Sequence, residues 1–509
     1  MQKNPARKRK KMSGEKLSRY QPPIEPVQDP LATTDFGNYQ SVFSYKYSRP
    51  TMRANWSEKR KAQLQRVVQA TSAETLGEAT TKLVSKAEAA DLWRHRDDID
   101  IPTIMRRELD SDFPGYTGHD QMAALSQYGD VAKKGRRVMG QGMTSDDTAS
   151  NVEAIQTREG LNIVEKGLVV TLDGFGEQIE EWKGFECNGL THLQVAEPIT
   201  VGFRIALHAQ DYLTALKIIR AVKEGMRTKG IKGPVGTSAE LEQLLHGTGM
   251  DAIEFERRVM NKLGLEPYIV AGQTTPRMQT VEVVYALSTI GIAAHKFAGD
   301  VKILQSTPFD EWAEPRNRRQ VGSLAMPHKR NPTGIENMKA LARSLPGKVF
   351  EAYWNASEVT LERGMEDSGG KRSYLPESFL IVDELLKRSE RVIRGIQIHK
   401  ASIARNLKNY GAFSALAPIM AEAAKRGADR QDMHALLFDH TSVAIEKMRE
   451  GGENQLQALI ANDPDVLKFI DASIVHGIFE NVGRHIGNAE KYCDMFLQNE
   501  LYPAIGKKV

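Results

Sequence analysis

The sequence predicts a mainly α protein, with a central bundle of long helices flanked by two smaller helical domains. Three observations predict it. In residues 279 to 306 the apolar positions Val283, Leu287, Ile290, Ala294, Phe297, Val301 and Leu304 alternate by four and three, the spacing of a long helix seam. In "AEPITVGFRIALHAQDYLTALKIIRAVKEG" the residues Ile205, Ala209, Leu213, Leu216 and Ile219 fall on one helical face. Strand-like alternation is scarce, and no period of 20 to 50 residues repeats.

In chain order, residues 1 to 40 read as a basic and polar disordered lead-in, dotted with proline ("RYQPPIEPVQDP"), with order beginning near "FGNYQSVFSYKYSRPTM". Residues 41 to 120 form the N-terminal helical domain, charged and helical from Trp56 to Arg107 and broken by "DSDFPGYTGHD". Residues 121 to 376 form the central bundle. Long helices are expected there over 146 to 183, from Pro198 in a first helical turn onward, over 279 to 306 and over 335 to 357. A helix over 371 to 397 leads into a C-terminal helical domain, residues 377 to 509.

The chain of 509 residues is long enough for several domains, and 40% hydrophobic with 26% charged residues is ordinary for a globular protein. Its formal charge of +4 is misleading. Six of the 69 basic residues lie among the first eleven, leaving 63 against 65 acidic residues, so no general nucleic-acid surface is implied. "ARKRKK" reads as a solvated terminus, a nuclear address or a weak polyanion contact. Cys187 and Cys493 are far apart and form no CxxC pair, which speaks against a disulfide scaffold and a thiolate zinc site. The longest nearly uninterrupted apolar run, Val283 to Ala294, suits a buried helix and falls short of a membrane span. With no signal peptide evident, a reducing cytoplasmic compartment is expected.

Polar clusters stand at the ends or breaks of these helices: "TGHD" (117 to 120), "GMTSDD" (142 to 147), "GLTHLQVAEP" (189 to 198), "VGSLAMPHKRNPTGIENM" (321 to 338) and "LERGMEDSGGKR" (361 to 372). Taken singly, each has a plain structural reading. Thr144 or Ser145 could cap a helix opened by Asp146 and Asp147, His119 and His192 could be satisfied by backbone partners, and "GPVGTSAE" at 233 to 240 could be a turn.

Together they carry a resemblance. "GSLAMPHKRNPTGIEN" resembles the GSSxMPxKxNxxxxE signature of the fumarase and aspartase superfamily, with Gly322, Ser323, Met326, Pro327, Lys329, Asn331 and Glu336 in register. The variant MPHKRNP is typical of members that act on a succinylated purine nucleotide. "SYKYSRPTM" is similar to the superfamily's SRYAS segment at Tyr47, "GHD" to its His-Asp pair at His119 and Asp120, and "GMTSDD" to GxTSxD. "THLQVAEPITVG" is similar to THxQxAxPTTxG, "GQTTPR" to Gln-Thr-x-x-Arg, and "ERGMEDSGGKR" to ERxxxDSxxxR. The likeness spans roughly residues 40 to 500.

What the resemblance implies is a carbon-nitrogen lyase of purine biosynthesis, eliminating fumarate from adenylosuccinate to give AMP, and from the related SAICAR to give AICAR. Ser323 is then the carbon base, which must ionise among cations and backbone donors on a mobile loop. Lys329 and Asn331 stabilise the carbanionic intermediate. His192, oriented by Glu336, delivers the proton to the leaving nitrogen. Arg363, Ser368 and Arg372 hold the 5′-phosphate, with Lys46, Tyr47 and His119 at the nucleotide end; His119 is counted among the catalytic residues and Asp120 among the substrate-binding ones. Thr144, Ser145 and Thr191 grip the succinyl carboxylates, and Gln273 orients the substrate. No metal or organic cofactor is called for. The family's homotetramer implies active sites shared between subunits. Leu324, Gly118, Gly140 and Lys46 depart from the common pattern, and Lys46 keeps charge but not the arginine fork. The competing expectations are a carboxymuconate cycloisomerase or argininosuccinate lyase of the same superfamily, and a non-catalytic structural relative.

Overall fold

The computed structural model describes residues 19–27, 29–317, 319 and 321–507. The basic run at residues 3 to 11 lies outside them. The main helices are α1 (Glu58–Ala79), α2 (Lys86–Arg94), α3 (Ile101–Leu109), α4 (Asp120–Val131) and α5 (Ser145–Trp182). After a hairpin of β1 (Glu186–Thr191) and β2 (Gln194–Thr200) come α6 (Val201–Gly225), α7 (Ala252–Leu263) and α8 (Met278–Leu304). A short strand β3 (Trp312–Ala313) precedes α9 (Thr333–Ala342), α10 (Leu345–Ser357) and α11 (Glu366–Gly395), and β4 (Gln397–Ile398) pairs antiparallel with β3. The C-terminal region adds α12 (Lys400–Tyr410), α13 (Leu416–Lys425), α14 (Arg430–Arg449), α15 (Leu456–Ala461), α16 (Ala472–Glu480) and α17 (Ala489–Phe496).

The helical patterns behave as their spacing demands. All seven seam residues of α8 are buried, as are Ile205, Ala209, Leu213, Leu216 and Ile219 of α6. By length and composition α8 would pass for a bilayer span, but 56% of its most apolar window is buried inside the structure, the pattern of a core helix. Helix starts are marked by local chemistry. Ser57 accepts from the N–H of Arg60 ahead of α1, and Ser85 with Glu88 makes a full capping box on α2.

Packing divides the chain into two units, each discontinuous in sequence. The first comprises the described residues up to 166 with 217–289 and 344–384, and the second the described residues of 167–216, 290–343 and 385–507. Most boundaries between the two units fall inside long helices, α5, α6, α8 and α11. In the first unit a core gathers Leu64, Val67, Val68, Leu76, Leu92 and Tyr128 with Ile155 and with Phe255, Val259 and Leu263 of α7. In the second, Ile419, Leu437, Leu456, Ile460, Val475 and Phe479 form a core of C-terminal helices.

Three expectations need correction. Part of the lead-in is packed against the helices: Tyr20 is buried, donates to Glu74 Oε2 at 2.9 Å and meets Trp93 edge-on, while Arg60 donates to the carbonyl of Pro23. Pro198 does not open a helix. It lies in β2 opposite Asn188, where a two-stranded ribbon consists only of edges and tolerates a residue without an N–H, and α6 starts at Val201. The helix expected over 335 to 357 is two, α9 and α10, since Pro346 in the first turn of α10 cannot continue the ladder of α9.

Candidate functional site

Within the first unit a cavity of about 540 Å³ is lined by several of the sequence-predicted residues: His119, Asp120, Ser145, Gln273, Arg363, Ser368 and Arg372. Each arrives from the end of an element. His119 is the N-cap of α4, its Nδ1 accepting from the N–H of Gln121 at 3.2 Å, and Asp120 opens that helix. Ser145 begins α5, and Gln273 is fixed by donating its N–H to the carbonyl of Glu362. Ser368 and Arg372 lie in the first turns of α11, where Pro376 withholds the N–H that would otherwise bond the Arg372 carbonyl.

The start of α5 is set by a buried hub. Asp147, fully buried, accepts from the N–H groups of Thr144 (2.8 Å), Lys232 (2.9 Å) and Gly233 (3.0 Å) and pairs with the equally buried Lys229 ammonium at 2.7 Å. Burial pulls the Lys229 ammonium below its usual pKa, and the Asp147 charge opposes that pull. The segment "GPVGTSAE" is thus more than a turn. Its first glycine is a donor to the carboxylate that holds the Thr144 N–H, and a Cβ on Gly236 would meet the Ala271 carbonyl at 1.8 Å.

Charge in the cavity is dense and paired. Arg363 lies 2.8 Å from Asp367 and 3.6 Å from Asp146. Arg277 reaches Asp367 at 2.7 Å and Glu153 at 3.4 Å, Lys371 reaches Glu153 at 2.7 Å, and Arg372 reaches Asp120 at 3.1 Å. Burial pushes the Asp146 carboxyl up against the pull of Arg363. Burial acts the same way on Glu153 and Asp367, but Lys371 and Arg277 outweigh it and hold both below the ordinary carboxylate value. Such a cavity suits a multiply anionic ligand that takes over the cations from these carboxylates.

Lys46, Tyr47 and Thr144 belong to the same unit but do not line the cavity. Lys46 caps a short helix with its ammonium 5.6 Å from the Tyr47 ring centre. The neighbouring Ser48, in a left-handed conformation, and Arg49 are both bonded to Asp383 of α11.

The second unit carries the remaining candidates. Thr191 and His192 are exposed at the tip of the β1–β2 hairpin, where His192 (φ 53°) and Leu193 (φ 60°) are the two central residues of a tight turn. Two positive φ values in a two-residue loop define the turn that matches the twist of a hairpin, and at non-glycine residues it is strained. The base of the hairpin is locked by a buried network: Arg204 donates to the Asn188 carbonyl and lies 3.5 Å from Glu311, while Asn406 donates to Glu311 and accepts from the Asn188 amide. In the segment before α9, Ser323 Oγ accepts from the N–H of Met326 at 3.2 Å. Asn331 donates to the Gly322 carbonyl at 3.1 Å, and Leu324 is fully exposed. Lys329 is exposed as well. Glu336 is ion-paired with Lys302 at 2.7 Å, so the pairing with His192 expected from the resemblance is not the one this carboxylate makes within a single chain. Among the described residues no group of three or more His, Cys, Asp or Glu side chains is placed to hold a metal ion.

A family model described as a lyase matches residues 117–347. The chain is 30% identical over 478 residues to the adenylosuccinate lyase of Schistosoma mansoni, covering 92% of this chain and 96% of that protein. The chain belongs to the adenylosuccinate lyase family. The family's Saccharomyces cerevisiae member is 29% identical over 475 residues, 92% of this chain and 97% of that one. Among solved structures, 3-carboxy-cis,cis-muconate lactonizing enzyme from Pseudomonas putida superposes with a TM-score of 0.78 at 20% identity, over 92% of this chain and all of that one. A fumarate lyase from Mesorhizobium gives 0.76 at 18%, over the same shares. At those identities the likeness is one of fold, and the fold is mainly α.

Several cavity residues escaped the sequence reading of this family member. Arg277 ends the quoted "GQTTPR", and Asp367, which pairs with Arg277 and Arg363 behind the lining, is the aspartate of "ERGMEDSGGKR", so both stand in motifs without an assigned role. Lys61 of α1, 3.9 Å from Asp120, and Glu153 of α5 had no local signal, because only folding turns their helix faces toward the cavity.

Proposed function

We propose that this carbon-nitrogen lyase eliminates fumarate from adenylosuccinate to release AMP, and cleaves SAICAR to AICAR by the same chemistry, as a cytoplasmic enzyme. The observation that carries the nucleotide assignment is the cavity in which Arg363, Ser368 and Arg372 converge with His119, Ser145 and Gln273. In this reading the two arginines and Ser368 take the 5′-phosphate by charge-assisted bonds, displacing Asp120 and Asp367 as partners. Lys46, Tyr47 and His119 serve the nucleotide end, and Thr144, Ser145 and Thr191 bind the succinyl carboxylates.

Ser323 removes the proton from the carbon beside the carboxylate. The electron pair first adds negative charge to that carboxylate, which Lys329 and Asn331 stabilise, then forms the double bond of fumarate as the C–N bond breaks. His192 gives the nitrogen its proton. The Met326 N–H bonded to Ser323 Oγ is a fixed donor of the kind an alkoxide needs. The strained turn under His192 is the sort of local cost that persists where it places a working side chain.

We also propose a homotetramer with shared active sites. Met278, Tyr285 and Ile292, spaced by seven on α8, are 65%, 55% and 67% exposed in the single chain, an apolar stripe suited to burial against other copies. In such an assembly the carboxylate partner of His192 comes from another chain. The deciding experiment is to incubate the purified protein with adenylosuccinate and follow the ultraviolet change as AMP and fumarate form. Turnover is expected, and its absence would overturn the nucleotide assignment.

A further inference from the structure

The segment that bears Ser323, Lys329 and Asn331 leaves β3 and returns at α9, and its two ends are clasped together by one side chain. Helix α9 has no cap of its own: the residue ahead of it is Pro332, which makes no side-chain cap bond. Two of its first N–H groups are bonded instead by Glu314, twenty residues upstream. Gly334 donates to Oε1 at 3.1 Å and Ile335 to Oε2 at 3.0 Å. A carboxylate at this place satisfies two donors that a helix start leaves open, and it faces the positive end of the helix dipole.

Glu314 is itself firmly held. It follows directly on β3, where Trp312 is fully buried and Ala313 pairs with Gln397. Its N–H donates to Gln305 Oε1 at 2.9 Å, and Gln305 Nε2 in turn donates to the Arg330 carbonyl at 3.4 Å. The fit on the other side is tight, since a Cβ on Gly334 would meet Glu314 Oε2 at 2.4 Å. From the clasp the chain of contacts runs on: Asn331, three residues before Gly334, donates to the carbonyl of Gly322, next to Ser323.

We infer that Glu314 is a positioning residue for the elimination: by capping α9 across the base of this segment, it fixes where Asn331 and Lys329 stand relative to Ser323. It touches no reacting atom. The inference rests on the reading that Ser323 is the base, so its test must separate the two.

The test compares kcat, KM and thermal midpoint for adenylosuccinate cleavage by the parent, Glu314→Ala, Glu314→Gln, Gly334→Ala and the double variant Glu314→Ala/Gly334→Ala, with Ser323→Ala alongside. Misplacing a reacting group by a fraction of its contact distance costs about 10- to 100-fold in rate. The expected result is a fall of that order in kcat for Glu314→Ala with little change in KM, and partial recovery in Glu314→Gln, which keeps one acceptor oxygen. Gly334→Ala is expected to lower kcat comparably, and the double variant to be no worse than the poorer single, because both break one contact. Parental kcat in Glu314→Ala, or losses that multiply in the double variant, would overturn the inference. Should Glu314→Ala not fold, Glu314→Gln and Gly334→Ala decide the matter by the same criteria. Undiminished turnover by Ser323→Ala would instead overturn the base assignment, whatever the Glu314 variants do.

Discussion

Arg372 and Asp120 show how single side chains prepare the cavity for an anion. Their 3.1 Å ion pair is half-exposed on the arginine side, so it adds little stability, and in the proposed function it presents a guanidinium for the phosphate to capture. Replacing Arg372 with Met is therefore expected to raise KM about 10- to 100-fold through loss of a charge-assisted phosphate contact, with a smaller change in kcat. Steady-state kinetics on adenylosuccinate check this.

A second residue-scale prediction concerns His208 of α6, buried against Phe297, with Nε2 3.3 Å from Asp300 but no hydrogen-bond partner on either ring nitrogen among the described residues. Burial pushes its pKa down to about 3 from 6.5. The unfolded chain then binds the proton that the folded chain refuses, so below pH 6.5 stability falls as pH drops toward 3, and above 6.5 the effect vanishes. His208→Phe should be more resistant to urea than the parent at pH 5 by about 2 kcal/mol relative to the same comparison at pH 7.5. Equal differences at the two pH values would count against a neutral buried imidazole.

Among the elements, the β1–β2 hairpin is the most instructive. It presents His192 on a two-residue turn whose left-handed conformation costs roughly 1–2 kcal/mol per non-glycine residue. Leu193→Gly removes that cost at the neighbouring position, and the thermal midpoint of the variant should match or exceed that of the parent, against the usual penalty for glycine. A clear fall in the midpoint would mean that Leu193, 57% exposed in the single chain, contributes packing that outweighs its strain.

The same hairpin marks the limit of what the sequence discloses. The seam of α8 and the face of α6 were legible because a helix buries residues at a fixed local spacing, and every residue so identified is buried. The hairpin was not: "QVAEPIT" alternates weakly, a proline beside an apolar helix pattern suggests a first turn, and the register that places Pro198 opposite Asn188 is a non-local pairing. The motifs behaved likewise. "ERGMEDSGGKR" announced Arg363, Ser368 and Arg372, whereas the Asp147–Lys229 hub joins residues about eighty positions apart whose partnership only tertiary packing creates.

For the whole molecule, the apolar stripe on α8 and the exposed aromatic side chains Phe350, Tyr353 and Trp354 on α10 are costly to leave in water. Ile292→Glu places a charge in the stripe. It is expected to turn the proposed tetramer into smaller species by light scattering coupled to size exclusion, with turnover lost alongside the mass. A parental mass and rate in that variant would remove α8 from the interface. The proposed sharing of sites between chains would account for Glu336 resting on Lys302 within one chain and for His192 standing exposed at a hairpin tip.

The central claim is that Ser323 starts the elimination of fumarate from adenylosuccinate. Its most direct test is the kcat of Ser323→Ala, measured beside a parent that turns over and with thermal midpoints to show that both are folded. Loss of a general base predicts a fall of about 10²- to 10⁴-fold at an unchanged midpoint. A folded Ser323→Ala that cleaves adenylosuccinate at the parental rate would contradict the account.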